Sequence, residues 1–145
     1  VNDVDWSPDG KYVVTASSDG IVSIWDAQTG QEIRQLIGHT GAILSVDWHP
    51  AGDQIVTAGA DGIVRTWDAR TGKEIDWLFG HEGPISAAAW SPDGEQVLTA
   101  SLDKTLRIWS VGIDGLLKQA EERIIRQPPE FTPEERCLYL HECGE

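Results

Sequence analysis

Apolar and polar positions fall into short runs along the chain, cut by turn residues, and the clearest set lies between residues 43 and 79. Ile43 to Trp48, Gln54 to Gly59, Ile63 to Asp68 and Glu74 to Phe79 are rich in β-branched or aromatic residues, which suit a pleated, half-buried backbone. Pro50-Ala51-Gly52, Ala60-Asp61-Gly62 and Arg70-Thr71-Gly72 separate them, and Gly-containing turns of this kind join antiparallel neighbours. The unit therefore predicts a four-stranded meander. In its third run Ile63 and Val64 are adjacent apolar residues, as are Ile21 and Val22. A sheet wetted on one side would alternate instead, so both faces of this sheet require cover.

The same pattern recurs at a spacing of 42 residues. Upstream it gives Trp6, Pro8, Asp9-Gly10, Asp19-Gly20, Trp25-Asp26 and Thr29-Gly30, and downstream it gives Trp90, Pro92, Asp93-Gly94, Asp103 and Trp109. Repeats at a fixed period are units that bury their faces on one another. Sheets stacked face to face around an axis meet the demand for cover, and that is the logic of a β-propeller. We therefore expect an all-β fold of about three four-stranded antiparallel blades over residues 1–112, with repeats at 1–38, 39–80 and 81–112.

Gly38-His39, Trp48, Asp61-Gly62 and Trp67-Asp68 together resemble the WD40 repeat, whose unit is about 40–45 residues with Gly-His and Trp-Asp signatures. The likeness covers residues 1 to about 111. It implies a strand order in which the Gly-His turn joins the outermost strand d of one blade to the innermost strand a of the next. Strands a to d of a first blade would then be residues 1–7, 11–17, 21–26 and 31–37, and 43–79 would supply a complete second blade. The third blade would have strands at 85–91, 96–101 and 105–110. Val111-Gly112-Ile113-Asp114-Gly115 replaces its Thr-Gly turn, and no outer strand like Glu74 to Phe79 follows.

From Gly115 the period changes. Leu116, Leu117, Ala120, Ile124 and Ile125 fall at helical spacing, and Pro128-Pro129 ends that helix. Thr132-Pro133-Glu134-Glu135 gives an N-cap, a proline at the first helical position and a capping Glu, opening a second helix to about Glu142. A helical tail over 113–145 is expected. Its closing Thr-Pro-Glu-Glu-Arg segment is similar to the carboxyl end of bacterial WD40 proteins of the STAND class of signal-transduction NTPases. The chain contains no Met and opens in mid-pattern at Val1, so the expectation is the carboxyl-terminal part of a longer protein.

Charge narrows the partners. The formal net charge is −13, from 24 acidic and 11 basic side chains, and about −9 of it falls on residues 1–112. Nucleic acid and anionic membranes both attract a cationic footprint, and none exists here. The expected partners are a protein or peptide, and further blades in cis or a second copy. Two cysteines, Cys137 and Cys143, both lie in the last ten residues, which fits a reducing cytoplasm better than a secreted scaffold. No apolar run approaches the ~20 residues of a membrane helix.

The most distinctive polar set is His39, Thr57, Asp61 and Trp67, repeated as His81, Thr99, Asp103 and Trp109, with Thr15, Asp19 and Trp25 forming the set without its His. A His beside an Asp and a hydroxyl invites a triad reading. An active site is needed once, whereas this set recurs in each repeat, so a structural role is expected and no residue is assigned to catalysis. The resemblance implies a hydrogen-bonded chain from Trp through Thr and His to Asp. Trp6, Trp48 and Trp90 are expected to fill the core between blades, and Trp77, whose counterpart is Gln35, is a candidate rim contact. In the family, binding uses the face carrying the d-to-a and b-to-c turns. That face would present Ser18, Thr40, Ala42, Leu44, Ala60, Glu82, Pro84, Ser86 and Leu102. The spacing of Cys137, His141 and Cys143 matches no common zinc pattern, and no phosphate-binding loop or nucleophile elbow occurs, so no metal and no cofactor are expected.

Overall fold

The computed structural model describes residues 1–111. They form three antiparallel sheets, each a simple meander. The first holds β1 (Asp3–Trp6), β2 (Tyr12–Ala16), β3 (Ile21–Asp26) and β4 (Glu32–Ile37). The second holds β5 (Ile43–Trp48), β6 (Gln54–Gly59), β7 (Ile63–Asp68) and β8 (Glu74–Phe79), the four expected runs to the residue. The third has three strands, β9 (Ile85–Trp90), β10 (Gln96–Ser101) and β11 (Leu106–Ser110). The expected helices, and with them Cys137, His141 and Cys143, lie outside the described residues.

Turn chemistry sets where each strand ends. Ser7 Oγ donates to Asp9 Oδ1 at 2.8 Å and accepts the Tyr12 N–H at 2.9 Å, closing the β1–β2 turn, and Ser91 repeats the arrangement with Asp93 and Gln96. Between β2 and β3, and between β6 and β7, the Asp-Gly pair puts Gly20 and Gly62 at φ of 83° and 74°. The third repeat places Lys104 at that position, at φ 70°. A side chain there crowds the backbone and costs about 1 kcal/mol.

Two apolar clusters join the sheets. Val14, Val22, Ile24 and Leu36 of the first sheet pack on Ile43, Val46, Trp48, Ile55 and Trp67 of the second. Val56, Ala58 and Val64, from the second sheet's other face, pack on Ile85, Ala88, Trp90 and Val97 of the third. The middle sheet is covered on both faces, which is why its third strand does not alternate. Each Val, Ile or Leu so buried contributes about 1.5–3 kcal/mol.

A polar clasp runs along the innermost strands. Asp3 Oδ2 accepts the Val46 N–H at 3.0 Å and Asp5 Oδ2 accepts the Trp48 N–H at 2.7 Å. At the next joint Ser45 Oγ accepts the Ala88 N–H at 3.2 Å and Asp47 Oδ2 accepts the Trp90 N–H at 2.6 Å. Burial, reinforced by the neighbouring Asp5 and Asp3 carboxylates, pushes the Asp47 carboxyl up despite the Trp90 N–H. In the third sheet the matching positions are Ala87 and Ala89, and the clasp stops.

One expectation is corrected. Trp48 and Trp90 fill the joints at 6% and 9% exposure, but Trp6 is 60% exposed, because no described sheet lies against its side of β1. The outer face of the third sheet is equally bare, with Leu98, Leu106 and Ile108 exposed.

Candidate functional site

The structure brings each repeated polar set together. Trp67 on β7 donates its Nε1–H to Thr57 Oγ1 on β6 at 2.8 Å, and that hydroxyl lies 2.8 Å from His39 Nε2. His39 Nδ1 lies 2.9 Å from Asp61 Oδ2, which also accepts the Thr40 N–H at 3.2 Å. Trp109, Thr99, His81 and Asp103 repeat it at 2.9, 2.8 and 2.8 Å. In the first sheet Trp25 donates to Thr15 at 3.0 Å, and Asp19 caps its own turn through the Ile21 N–H at 3.1 Å.

Every proton finds an acceptor if the hydroxyl donates to Nε2 and Nδ1–H donates to the carboxylate, so the imidazole is neutral. Burial lowers the His39 pKa below its ordinary value, although the Asp61 carboxylate pulls the other way. Burial raises Asp61, but His39 and the Ile63 and Thr40 N–H groups outweigh it, and the carboxyl titrates below its usual range. Thr57 and Thr99 are fully buried. A hydroxyl with no accessible surface and an indole N–H upon it offers no face to a substrate. The network instead ties β6, β7 and the turn before β5 into one unit.

The loop-face residues sit above these networks. Ser18, Thr40, Ala60, Glu82, Ser86 and Leu102 are exposed, while Ala42, Leu44 and Pro84 are half-buried. Backbone bonds lock the two turn sets together: the Ala60 N–H donates to Ala42 O at 2.8 Å and the Leu102 N–H to Pro84 O at 2.9 Å. Ser86 Oγ donates to Ala100 O at 3.2 Å and Ser18 Oγ to Asn2 Oδ1 at 3.0 Å, while Thr40, Glu82 and Leu102 present exposed side chains on this braced rim. Trp77 is 54% exposed on β8, beside Phe79 at 6.0 Å between ring centroids. Among the described residues no group of three or more His, Cys, Asp or Glu is placed to hold a metal ion.

Sequence reasoning missed a cavity of about 410 Å³ between the first two sheets, on the side of the β1–β2 and β3–β4 turns. Tyr12 stacks on Trp48 there, with ring centroids 6.4 Å apart and planes 10° from parallel. Arg34 reaches across the joint to donate to Thr71 O at 2.7 Å. The second joint is filled at the equivalent place. His49 Nε2 lies 3.1 Å from Gly94 O, and its ring meets Trp90 edge-on at 4.7 Å. The Trp48 and Trp90 indole N–H groups are buried without a partner among the described residues. A cavity across two repeats leaves no periodic trace; the only signal was that Ser7 and His49, and Tyr12 and Gln54, differ at matched positions.

A stack of meanders joined along their innermost strands, each braced by the same buried polar network, defines a repeat scaffold of the propeller type. The chain belongs to the WD40 family, described as WD domain, G-beta repeat, which matches residues 1–26, 30–68 and 72–110. It is similar to the pre-mRNA-splicing factor cwf17 of Schizosaccharomyces pombe, with 42% identity over 43 residues, 30% of this chain and 13% of that protein. The Notchless protein homolog of Arabidopsis thaliana is 46% identical over 41 residues, 28% of this chain and 9% of the relative. The chain thus spans only a small part of these relatives' length. Among solved structures, the RRP9 WD40 repeats superpose with a TM-score of 0.73 at 18% identity, covering 76% of this chain and 35% of that one. U3-55K gives the same TM-score and identity, over 76% and 36%. At such identities the likeness speaks for the fold alone.

Proposed function

We infer that the chain is a non-catalytic protein-interaction platform, working in the cytoplasm as the sensor end of a larger bacterial signalling or defence protein of the STAND class. The observation that carries the platform reading is a division of labour along the repeat. The buried network stays constant between the second and third repeats, while the rim above it changes from Thr40, Ala42 and Leu44 to Glu82, Pro84 and Ser86. Variable side chains on a rigid rim suit recognition of a protein or peptide. The WD40 membership supports the same reading, and the closing Thr-Pro-Glu-Glu-Arg segment supports the bacterial one. A photo-crosslinking residue at Ser86 or Leu102 should capture a partner protein that the same label at Gln28 does not. Equal capture from both places would overturn the loop-face assignment. The full reading frame tests the wider claim through an NTPase motif ahead of residue 1.

A second reading, a purely architectural module that is completed by further blades or a second copy, is favoured by the bare faces at Trp6 and at Leu106 and Ile108. Exposed apolar sheet faces demand cover. Two copies joined head to tail would set Ala87 and Ala89 against β1, with none of the acceptors that clasp the internal joints, so further blades are the better cover. Light scattering on the chain should show association; a stable monomer that unfolds cooperatively would defeat this reading.

A further inference from the structure

We propose that the cavity between the first and second sheets is a docking site for a peptide segment in which an apolar side chain is followed by a carboxylate. It is separate from the loop face and does not rest on that reading. The cavity's volume of about 410 Å³ is that of a ligand site. Tyr12, Ile24, Ile33 and Trp48 give it an apolar, aromatic lining that suits one large side chain.

Charge selects the neighbouring group. Arg34 and Arg70 both line the cavity, and among the described residues the Lys and Arg ion pairs join Lys11 to Asp9 and Arg65 to Glu74, so that neither of these two guanidiniums meets a described carboxylate. Arg34 spends one bond on Thr71 O, which holds it in place across the joint. Planar guanidinium groups match a carboxylate with paired N–H donors. Asp9 also lines the cavity, but its carboxylate is engaged by Ser7 Oγ, the Lys11 N–H and Lys11 Nζ, so it does not cancel the pair. In a chain of net charge −13 this is a local reversal of sign.

The second joint shows the same position made unfit for a ligand. His49 stands in place of Ser7 and closes the gap onto Gly94 and Trp90, Gln54 replaces Tyr12, and Asp76 replaces Arg34. The contrast supplies the test. Calorimetric titration of the full chain with the blocked peptide Gly-Leu-Asp-Gly should show binding about tenfold tighter than with its Asn twin. Arg34→Asp should abolish that preference. Ser7→His should weaken both peptides about tenfold, and S7H/Y12Q, a fuller transplant of the second joint, serves if the single variant does not fold. Glu95→Lys, on the exposed β9–β10 turn of the third sheet, should leave the titration unchanged. Equal affinity for the two peptides, no binding of either, or binding indifferent to Ser7→His would overturn the proposal. Displacement by inorganic phosphate but not by acetate would assign the arginine pair to phosphate and overturn it too.

Discussion

The two joints between sheets come from one repeat and end differently. Both are built on a buried strand-a tryptophan, Trp48 or Trp90, and on side chains of the preceding innermost strand that accept its neighbour's N–H groups. The second joint is sealed by His49, while the first is spanned by the Tyr12 ring and keeps a cavity with two arginines on it. What recurs holds the sheets together. What differs between the joints, around Ser7 and His49, leaves the first of them room to recognise something. The same division separates the buried networks from the loop rim.

The comparison breaks first at the recurring positions, where the largest effects are expected. Thr57→Val and Thr99→Val each leave an indole N–H and an imidazole nitrogen unpaired, and each should cost about 2–3 kcal/mol in urea unfolding. Similar losses in the two repeats, with binding per folded molecule unchanged, sharpen the distinction; loss of a binding activity at full stability would break it. His49→Ser removes the seal of the second joint and should cost about 1–2 kcal/mol through the void it leaves. Ser7→His enters space that is already present, so its cost should be limited to about 1 kcal/mol for the lost Ser7 Oγ bonds to Asp9 and the Tyr12 N–H.

Acidification probes the network in a different way. The folded His39 pKa lies below the ordinary 6.5, so below that pH the unfolded chain takes up a proton that the folded one refuses. Stability from this group is complete above about pH 6.5 and falls as the pH drops toward the folded value. Asp47 acts oppositely: its raised pKa means that stability is lost as the pH rises from about 3.8 through the folded value. The His39 contribution to the urea midpoint should therefore decline from pH 7 to 5, and the difference between the chain and His39→Gln over that range should show it. The smallest effect belongs to Lys104→Gly, which relieves a left-handed backbone and should raise stability by about 0.5 kcal/mol. No gain there would show that the third repeat's turn is not strained as Gly20 and Gly62 suggest.

Most of the fold was legible because its signals are periodic. Trp6, Trp48 and Trp90, and Trp25, Trp67 and Trp109, recur three times at a 42-residue spacing, Asp19-Gly20 and Thr29-Gly30 recur once more at Asp61-Gly62 and Thr71-Gly72, and the middle unit matched to the residue. The expectation for Trp6 failed because a repeat position implies burial only where a neighbouring sheet exists. The innermost-strand clasp was missed although Asp5 and Asp47 share a repeat position, since an acidic residue in a strand reads by default as a wetted face. The first cavity was invisible for a deeper reason. It depends on Ser7, Tyr12, Arg34 and Arg70, residues far apart in sequence whose meeting is set by the stacking, not by any local pattern.

The reciprocal exchange S7H/H49S tests the central claim, that one repeat position decides which joint is open. A crystal structure of the exchanged chain should show the imidazole of the variant filling the gap between Gly52 and Trp48, and a new cavity beside Trp90. If the first joint stays open and the second stays closed after the exchange, the difference between the joints arises elsewhere and the account fails.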